Sequence, residues 1–197
     1  VIFRFFVMFA LTSRRGVLSP PLALVTPEPR DTVGFGRIPG ATAQRAHSMV
    51  SRVIPVDPFD LVIFGGTGDL ARRKILPGLF RRFCAGQMPE DARIIGAARS
   101  ELDTDGYRQM IREAIAEFGG EQACGDAHLD KFLGQLEYVT IDALGVDGWE
   151  ELQALMAGTH RIEAYYFSVA PALFGDIAER LQKWGMADAK ARIVVEK

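Results

Sequence analysis

From Asp57 onward, short apolar runs alternate with stretches in which apolar residues return at every third or fourth position. The runs predict five strands, at Asp60–Phe64, Arg93–Ala98, Leu136–Ile141, Ala164–Val169 and Arg192–Val195. The periodic stretches predict the helices between them. One starts near Asp69 and carries Leu70, Leu76, Leu79, Phe80 and Phe83 inward, with Pro77 kinking or splitting it. A second spans Thr104–Phe118, with Tyr107, Ile111, Ile115 and Phe118 on one face and Gly119-Gly120 ending it. A short helix is expected near Ala127–Leu133. Another spans Gly148–Met156, with Trp149, Leu152 and Leu155 inward, and a last one Phe174–Trp184.

Strand–helix alternation of this kind implies an α/β fold, a doubly wound parallel sheet covered on both faces. Ligands of such sheets bind beyond the carboxyl ends of the strands. The residues following each strand therefore carry the candidate chemistry. After the first strand comes Gly65-Gly66-Thr67-Gly68-Asp69-Leu70-Ala71. Gly65 tolerates backbone angles closed to other residues, and Gly68 allows a ligand to approach the backbone. The following helix start offers free N–H groups and the positive end of a dipole to a pyrophosphate. The spacing is Gly-x-x-Gly-x-x-Ala, which suits a dinucleotide cradle and equally a plain strand–helix connection. No Gly-Lys-Ser/Thr follows, so the stretch is not a Walker loop.

After the second strand comes Arg99-Ser100, where NAD-binding sheets usually carry an acid for the ribose hydroxyls. An Arg suits a 2′-phosphate instead, and points to NADP. Arg72, Arg73 and Lys74 form a solvated basic face, one member of which is placed to approach a phosphate. Ser168-Val169-Ala170-Pro171 reads as a loop flanking a flat ring or as a tight turn into a helix. His47, His128 and His160 fall in the leader or in surface connections and are poor catalytic candidates. Glu196-Lys197 lies at the ligand edge of the fifth strand.

Composition narrows the partners. The net charge of −2 gives no reason to expect nucleic acid. Residues 1–48 stand apart: Arg4, Arg14, Arg15, Arg30, Arg37 and Arg45 outnumber Glu28 and Asp31, and Pro20, Pro21, Pro27, Pro29 and Pro39 accompany no sustained period. The expectation is a leader of 1–48 that is upstream or disordered sequence, a natural start at Met49, and one domain over 49–197. Val1–Ser13 is apolar but shorter than the roughly 20 residues a membrane span needs. Cys84 and Cys124 show no paired spacing and no neighbouring ligand set, so two reduced thiols in a cytoplasmic protein are expected, with neither disulfide nor metal.

Four segments carry a resemblance. Phe64-Gly65-Gly66-Thr67-Gly68-Asp69-Leu70-Ala71-Arg72-Arg73-Lys74-Ile75-Leu76-Pro77, Gly96–Ser100, Tyr165–Pro171 and Arg192–Lys197, in this order and spacing, resemble the glucose-6-phosphate dehydrogenase family. The resemblance covers about Pro58 to Lys197. It implies a Rossmann-type NADP-binding domain, and the sequence leaves open whether NADP alone or NAD as well is used. It also implies oxidation at C1 of glucose 6-phosphate to the 6-phosphoglucono-lactone, with hydride passing to the nicotinamide. By position, Gly65, Thr67, Gly68, Asp69 and Leu70 would line the pyrophosphate. Arg99 would take the 2′-phosphate, Asp142 and Ala143 would touch the adenosine side, and Lys197 would bridge substrate and cofactor.

The family's catalytic His sits in an Arg-Ile-Asp-His-Tyr segment, which this sequence does not contain, and its larger α+β domain is missing too. The chain is therefore expected to supply no catalytic residue, to bind NADP weakly, and not to turn over by itself; a homo-oligomer is expected only of the complete enzyme. Two other functions fit the alternation. A reductase of the short-chain type would want a Tyr-x-x-x-Lys pair on one helical face, and none is present. A non-catalytic dinucleotide-binding module needs only the cradle.

Overall fold

A computed structural model of the chain describes residues 57–119, 124–158, 161–188 and 191–195. All of them belong to a unit spanning Arg52–Lys197. The expected leader, Met49, His47, His160 and Lys197 lie outside the described residues.

Five parallel strands form one sheet: β1 (Phe59–Phe64), β2 (Arg93–Ala98), β3 (Leu136–Thr140), β4 (Ile162–Phe167) and β5 (Arg192–Val195). Their order is β3-β2-β1-β4-β5. The chain winds outward from β1 to β3, then returns to the other side of β1 for β4 and β5. The crevice between β1 and β4 is thus the switch point where doubly wound sheets take ligands.

The helices are α1 (Leu76–Cys84), α2 (Thr104–Phe118), α3 (Asp126–Gly134), α4 (Trp149–Met156) and α5 (Phe174–Lys183). Strand alternation sorts the core into two layers. Val62, Phe64, Ile95, Val139, Tyr165 and Phe167 pack with Trp149, Leu152, Ile177 and Leu181 of α4 and α5. Ile63, Ile94, Tyr138 and Tyr166 pack with Leu76, Phe80, Tyr107, Ile111 and Phe132 of α1–α3. The sequence pattern places α2 and β2 at their observed bounds and sets β4 two residues too late. In α4, Met156 rather than Leu155 completes the buried stripe with Trp149 and Leu152.

The helix after β1 departs from a regular pattern. A π-helical turn occupies Ala71–Ile75, closed by the Leu76 N–H donating to the Ala71 carbonyl, and α1 begins only after it. Ala71 and Leu76 are both fully buried. In an unbroken α-helix the positions three and four before Leu76 would share its face, which would turn Arg73 or Arg72 toward the core. The wider turn absorbs one residue and leaves Arg73 and Lys74 exposed, with Arg72 half-buried. Pro77 then falls in the first turn of α1, where its missing N–H costs nothing.

The amino ends of the strands are sealed by charge. Asp60 is fully buried, and Arg93 of the neighbouring strand donates to both its carboxylate oxygens at 2.8 and 2.7 Å. Arg161 donates to the same carboxylate at 3.2 Å, and Arg93 also reaches the Leu155 carbonyl at 2.9 Å.

One expectation is overturned. Cys84 and Cys124 form a disulfide, with their Cα atoms 5.5 Å apart. Cys84 ends α1 and Cys124 precedes α3, and both helices cover the same sheet face, where Phe80 and Phe83 meet Phe132. Paired spacing could not reveal a bridge that folding makes across 40 positions.

Candidate functional site

A cavity of about 520 Å³ opens at the carboxyl ends of the strands. Phe64, Gly65, Thr67 and Gly68 form its floor, Ala97–Ser100 one wall, Ile141–Leu144 the far end, and Val169, Ala170 and Leu173 the opposite wall.

The floor is the glycine turn. The Gly65 and Gly66 N–H groups both donate to the Ala97 carbonyl, at 2.8 and 3.3 Å, which folds the turn back over β2. Gly65 has φ +81°, and a Cβ there would collide with the Ser168 carbonyl oxygen. The turn after β1 and the loop after β4 therefore touch, and only glycine fits between them. A Cβ on Gly66 would stand 2.9 Å from the Gly96 Cα. The Gly68 N–H closes the turn onto the Gly65 carbonyl at 2.9 Å, and the helical ladder is under way with the Arg72 N–H on the Gly68 carbonyl at 3.0 Å. The first-turn amides of Asp69–Ala71 point back past Gly68, the position that serves an anion.

The walls are tied to the floor and to the sheet. Thr67 Oγ1 and Ser100 Oγ lie 3.1 Å apart, joining the turn to the loop after β2. Arg99 is exposed at that loop, on the cavity edge. The loop after β3 is held by its own bonds: the Asp142 carboxylate accepts the Leu144 N–H at 3.0 Å, and Trp149 Nε1 donates to the Asp142 carbonyl at 3.0 Å. Arg180 of α5 donates to the Leu144 carbonyl. Beneath the crevice, burial raises the Tyr107 hydroxyl pKa above its ordinary value, and burial raises that of Tyr138 against the pull of hydrogen bonds with Ser100 and Thr140. Both phenols stay neutral donors through the physiological range.

The structure gathers Gly65, Thr67, Gly68, Arg99, Asp142 and Ala143 around this one cavity. Asp69 and Leu70 do not line it; the Asp69 carboxylate instead pairs with Arg73 at 2.6 Å on the surface. Arg73 also lies over the Phe118 ring, 5.2 Å from its centroid. Lining residues that sequence reasoning passed over are Ile141, Leu144 and Leu173. Leu144 carried one usable signal, being a large apolar residue left 55% exposed in a loop.

The cavity suits a dinucleotide. Its length runs from the β4 loop past the helix start to the β3 loop. Its floor includes the bare backbone of Gly65 and Gly68, the kind of surface a pyrophosphate can approach, and Arg99 supplies positive charge at the rim. Ser168 Oγ and Arg72 Nε are buried without a hydrogen-bond partner, two unused polar atoms in the segments that flank the turn. Among the described residues no three metal-ligating side chains cluster, and no helix is long and apolar enough to cross a membrane. His128, the sole histidine among them, lies exposed on α3 and not on the cavity.

Residues 62–197 match the family model described as glucose-6-phosphate dehydrogenase, NAD binding domain. Glucose-6-phosphate 1-dehydrogenase of Rhizobium meliloti (strain 1021) is 45% identical over 150 residues, covering 76% of this chain and 30% of that protein. The enzyme of the same name from Gluconobacter oxydans (strain 621H) is 44% identical over 146 residues, 72% of this chain and 30% of its own length. Among solved structures, glucose-6-phosphate 1-dehydrogenase from Mycobacterium avium superposes with a TM-score of 0.64 at 35% identity, over 72% of this chain and 30% of its own. A glucose-6-phosphate dehydrogenase solved in complex with its substrate glucose-6-phosphate gives 0.60 at 25% identity, over 71% and 30%. The chain spans about 30% of the length of the curated relatives it matches. With its crevice at the β1/β4 switch point and the family match running from β1 to its last residue, the chain belongs to the NAD-binding-domain family of glucose-6-phosphate dehydrogenases.

Proposed function

We propose that this chain forms the NADP-binding part of a glucose-6-phosphate dehydrogenase. The observation that carries the reading is the glycine turn at the switch point, flanked at its adenosine end by Arg99 instead of an acid. Gly65, Thr67 and Gly68 would hold the pyrophosphate, with Asp69 and Leu70 contributing first-turn amides rather than side chains. Arg99 would take the 2′-phosphate, and Ala143 with the backbone of Asp142 would border the adenosine. The Asp142 carboxylate accepts the Leu144 N–H, which holds the β3 loop in place at that end of the cavity. Lys197, beyond the described residues, would reach both substrate and cofactor.

When bound, NADP supplies the acceptor for a hydride from C1 of glucose 6-phosphate. The residues of this chain bind and orient it. A general base for the C1 hydroxyl is not supplied by His128, which stands away from the crevice. The 197 residues by themselves are therefore expected to bind coenzyme and leave glucose 6-phosphate unoxidised. Calorimetric titration with NADP, beside an absorbance assay with NADP and glucose 6-phosphate, tests both halves. Saturable binding without turnover supports the reading; no binding, or turnover above a protein-free blank, contradicts it.

A further inference from the structure

Two tyrosines stand beneath the crevice, on the same face of the sheet. Tyr107 comes from α2 and is fully buried; Tyr138 comes from β3 and is 5% exposed. Their rings stack, 4.8 Å between centroids and 29° between planes. Neither hydroxyl is spent within the core. Tyr107 Oη donates to the Gly66 carbonyl at 3.3 Å, on the underside of the glycine turn. Tyr138 Oη donates chiefly to the Ser100 carbonyl at 2.7 Å, with the Ala98 carbonyl at 3.2 Å. Thr140 Oγ1 donates to the same Ser100 carbonyl at 3.2 Å. The sheet makes room for this arrangement: a Cβ on Gly96 would collide with the Tyr107 ring, and Gly66 rests on Gly96 from above.

Phenylalanine would fill the same core volume without a polar atom to satisfy, since a buried hydroxyl costs free energy unless it is bonded. The hydroxyls therefore act on what they touch, which is the backbone of two loops. Resting on the NADP reading above, we infer that Tyr107 and Tyr138 are positioning residues for the coenzyme crevice: Tyr107 sets the height of the pyrophosphate turn, and Tyr138, with Thr140, sets the Arg99–Ser100 loop. The stacked rings link the two supports, so the spacing between the pyrophosphate site and the 2′-phosphate site is fixed from below, as the Thr67–Ser100 bond fixes it from above.

The two supports make different predictions for the two coenzymes. NAD and NADP share the pyrophosphate, and only NADP carries the 2′-phosphate. In the full chain, Tyr138→Phe should weaken NADP binding about fivefold, the value of one hydrogen bond, and leave NAD within about twofold, with Tm lowered by only about 2–4 °C. Tyr107→Phe should weaken both coenzymes alike, by about threefold. A purely structural role would lower Tm and leave the NADP-to-NAD ratio untouched. Equal weakening of both coenzymes by Tyr138→Phe, or of neither, overturns the inference, as does a change in the ratio with Tyr107→Phe. Should Tyr138→Phe not fold, Thr140→Val removes the second hydroxyl from the Ser100 carbonyl and must show the same selective loss of NADP. Arg99→Ala separates the levels of failure. If the parent chain shows no Arg99-dependent preference for NADP, the coenzyme reading itself falls, and the tyrosine roles with it. If that preference is present and the tyrosine variants do not split, the positioning inference alone falls.

Discussion

The two ends of the sheet are built on opposite plans. At the amino end, a fully buried carboxylate, Asp60, is gripped by Arg93 and Arg161, and charge is neutralised where water is excluded. At the carboxyl end, side chains are withdrawn: Gly65, Gly66 and Gly68 bare their backbone, and Arg99 stands exposed at the rim. The same five strands connect both ends. One end is closed by satisfying its polar groups internally, and the other keeps the first-turn amides of Asp69–Ala71 and the charge of Arg99 for a ligand. Substitutions at the amino end should therefore change stability and leave binding at the carboxyl end nearly untouched.

The largest break should come from the clamp. Asp60→Asn leaves two guanidinium groups facing a neutral amide, and removing one partner of a buried ion pair costs about 3 kcal/mol or more. Urea denaturation should register that loss while NADP affinity at the far end, measured on the folded protein, stays within about twofold. A comparable loss of affinity would show that the two ends are coupled. Opening the Cys84–Cys124 bridge should come next. A bond closing a 40-residue separation restrains the unfolded chain by about 2–4 kcal/mol in the loop-entropy model. Denaturation with and without a dithiol reductant measures it, and an unchanged midpoint would place the bridge outside the stability of the fold.

Gly65→Ala attacks the open end. With φ +81° and the Ser168 carbonyl in the way, a Cβ should cost about 2 kcal/mol of stability. It should also cost more than about tenfold in dinucleotide affinity, because the turn must move off its seat. Binding retained at full strength would show that the turn is not the cradle.

The smallest effect concerns Glu163, beside the clamp on β4. Burial raises its carboxyl pKa, the Tyr165 hydrogen bond partly offsets this, and Asp188 and Asp60 add repulsion. A carboxyl raised in the folded state contributes stability below its unfolded pKa of about 4.3 and loses it as pH rises through the higher folded value. Protonated, Glu163 can donate to Tyr165, whose own hydroxyl then serves the Met186 carbonyl at 2.7 Å. Glu163→Gln should accordingly flatten the fall in stability as pH rises above about 4.3. An unchanged pH profile would remove Glu163 from the clamp's electrostatics.

Much of this organisation was written in local pattern. The β2 and β5 runs, the α2 stripe of Tyr107, Ile111 and Ile115, and the glycine turn are short-range signals, and each marks the element that the structure contains. Alternation implied a doubly wound parallel sheet with ligands at the carboxyl ends of its strands, and the strand order that puts the crevice between β1 and β4 came from the structure. What escaped was long-range. Asp60 read as the first residue of an apolar strand, because its partners lie 33 and 101 positions away. The disulfide was hidden for the same reason. The π turn was half legible: Ala71 and Leu76, five apart around a basic run, break the helical period, yet Pro77 drew attention as the cause when it falls harmlessly in the next helix start. At the crevice, Arg99 announced itself by type and place, while the tyrosine supports looked like ordinary core residues until their hydroxyls were seen to reach the loops.

The decisive measurement is a paired titration of the chain and its Arg99→Ala variant with NADP and NAD. A charge-assisted contact to a 2′-phosphate is worth about 1.5–3 kcal/mol, so the variant should lose NADP affinity by about tenfold or more and keep NAD affinity nearly unchanged. Equal loss of both coenzymes, or loss of neither, would contradict a 2′-phosphate site at Arg99 and the assignment of the crevice to NADP.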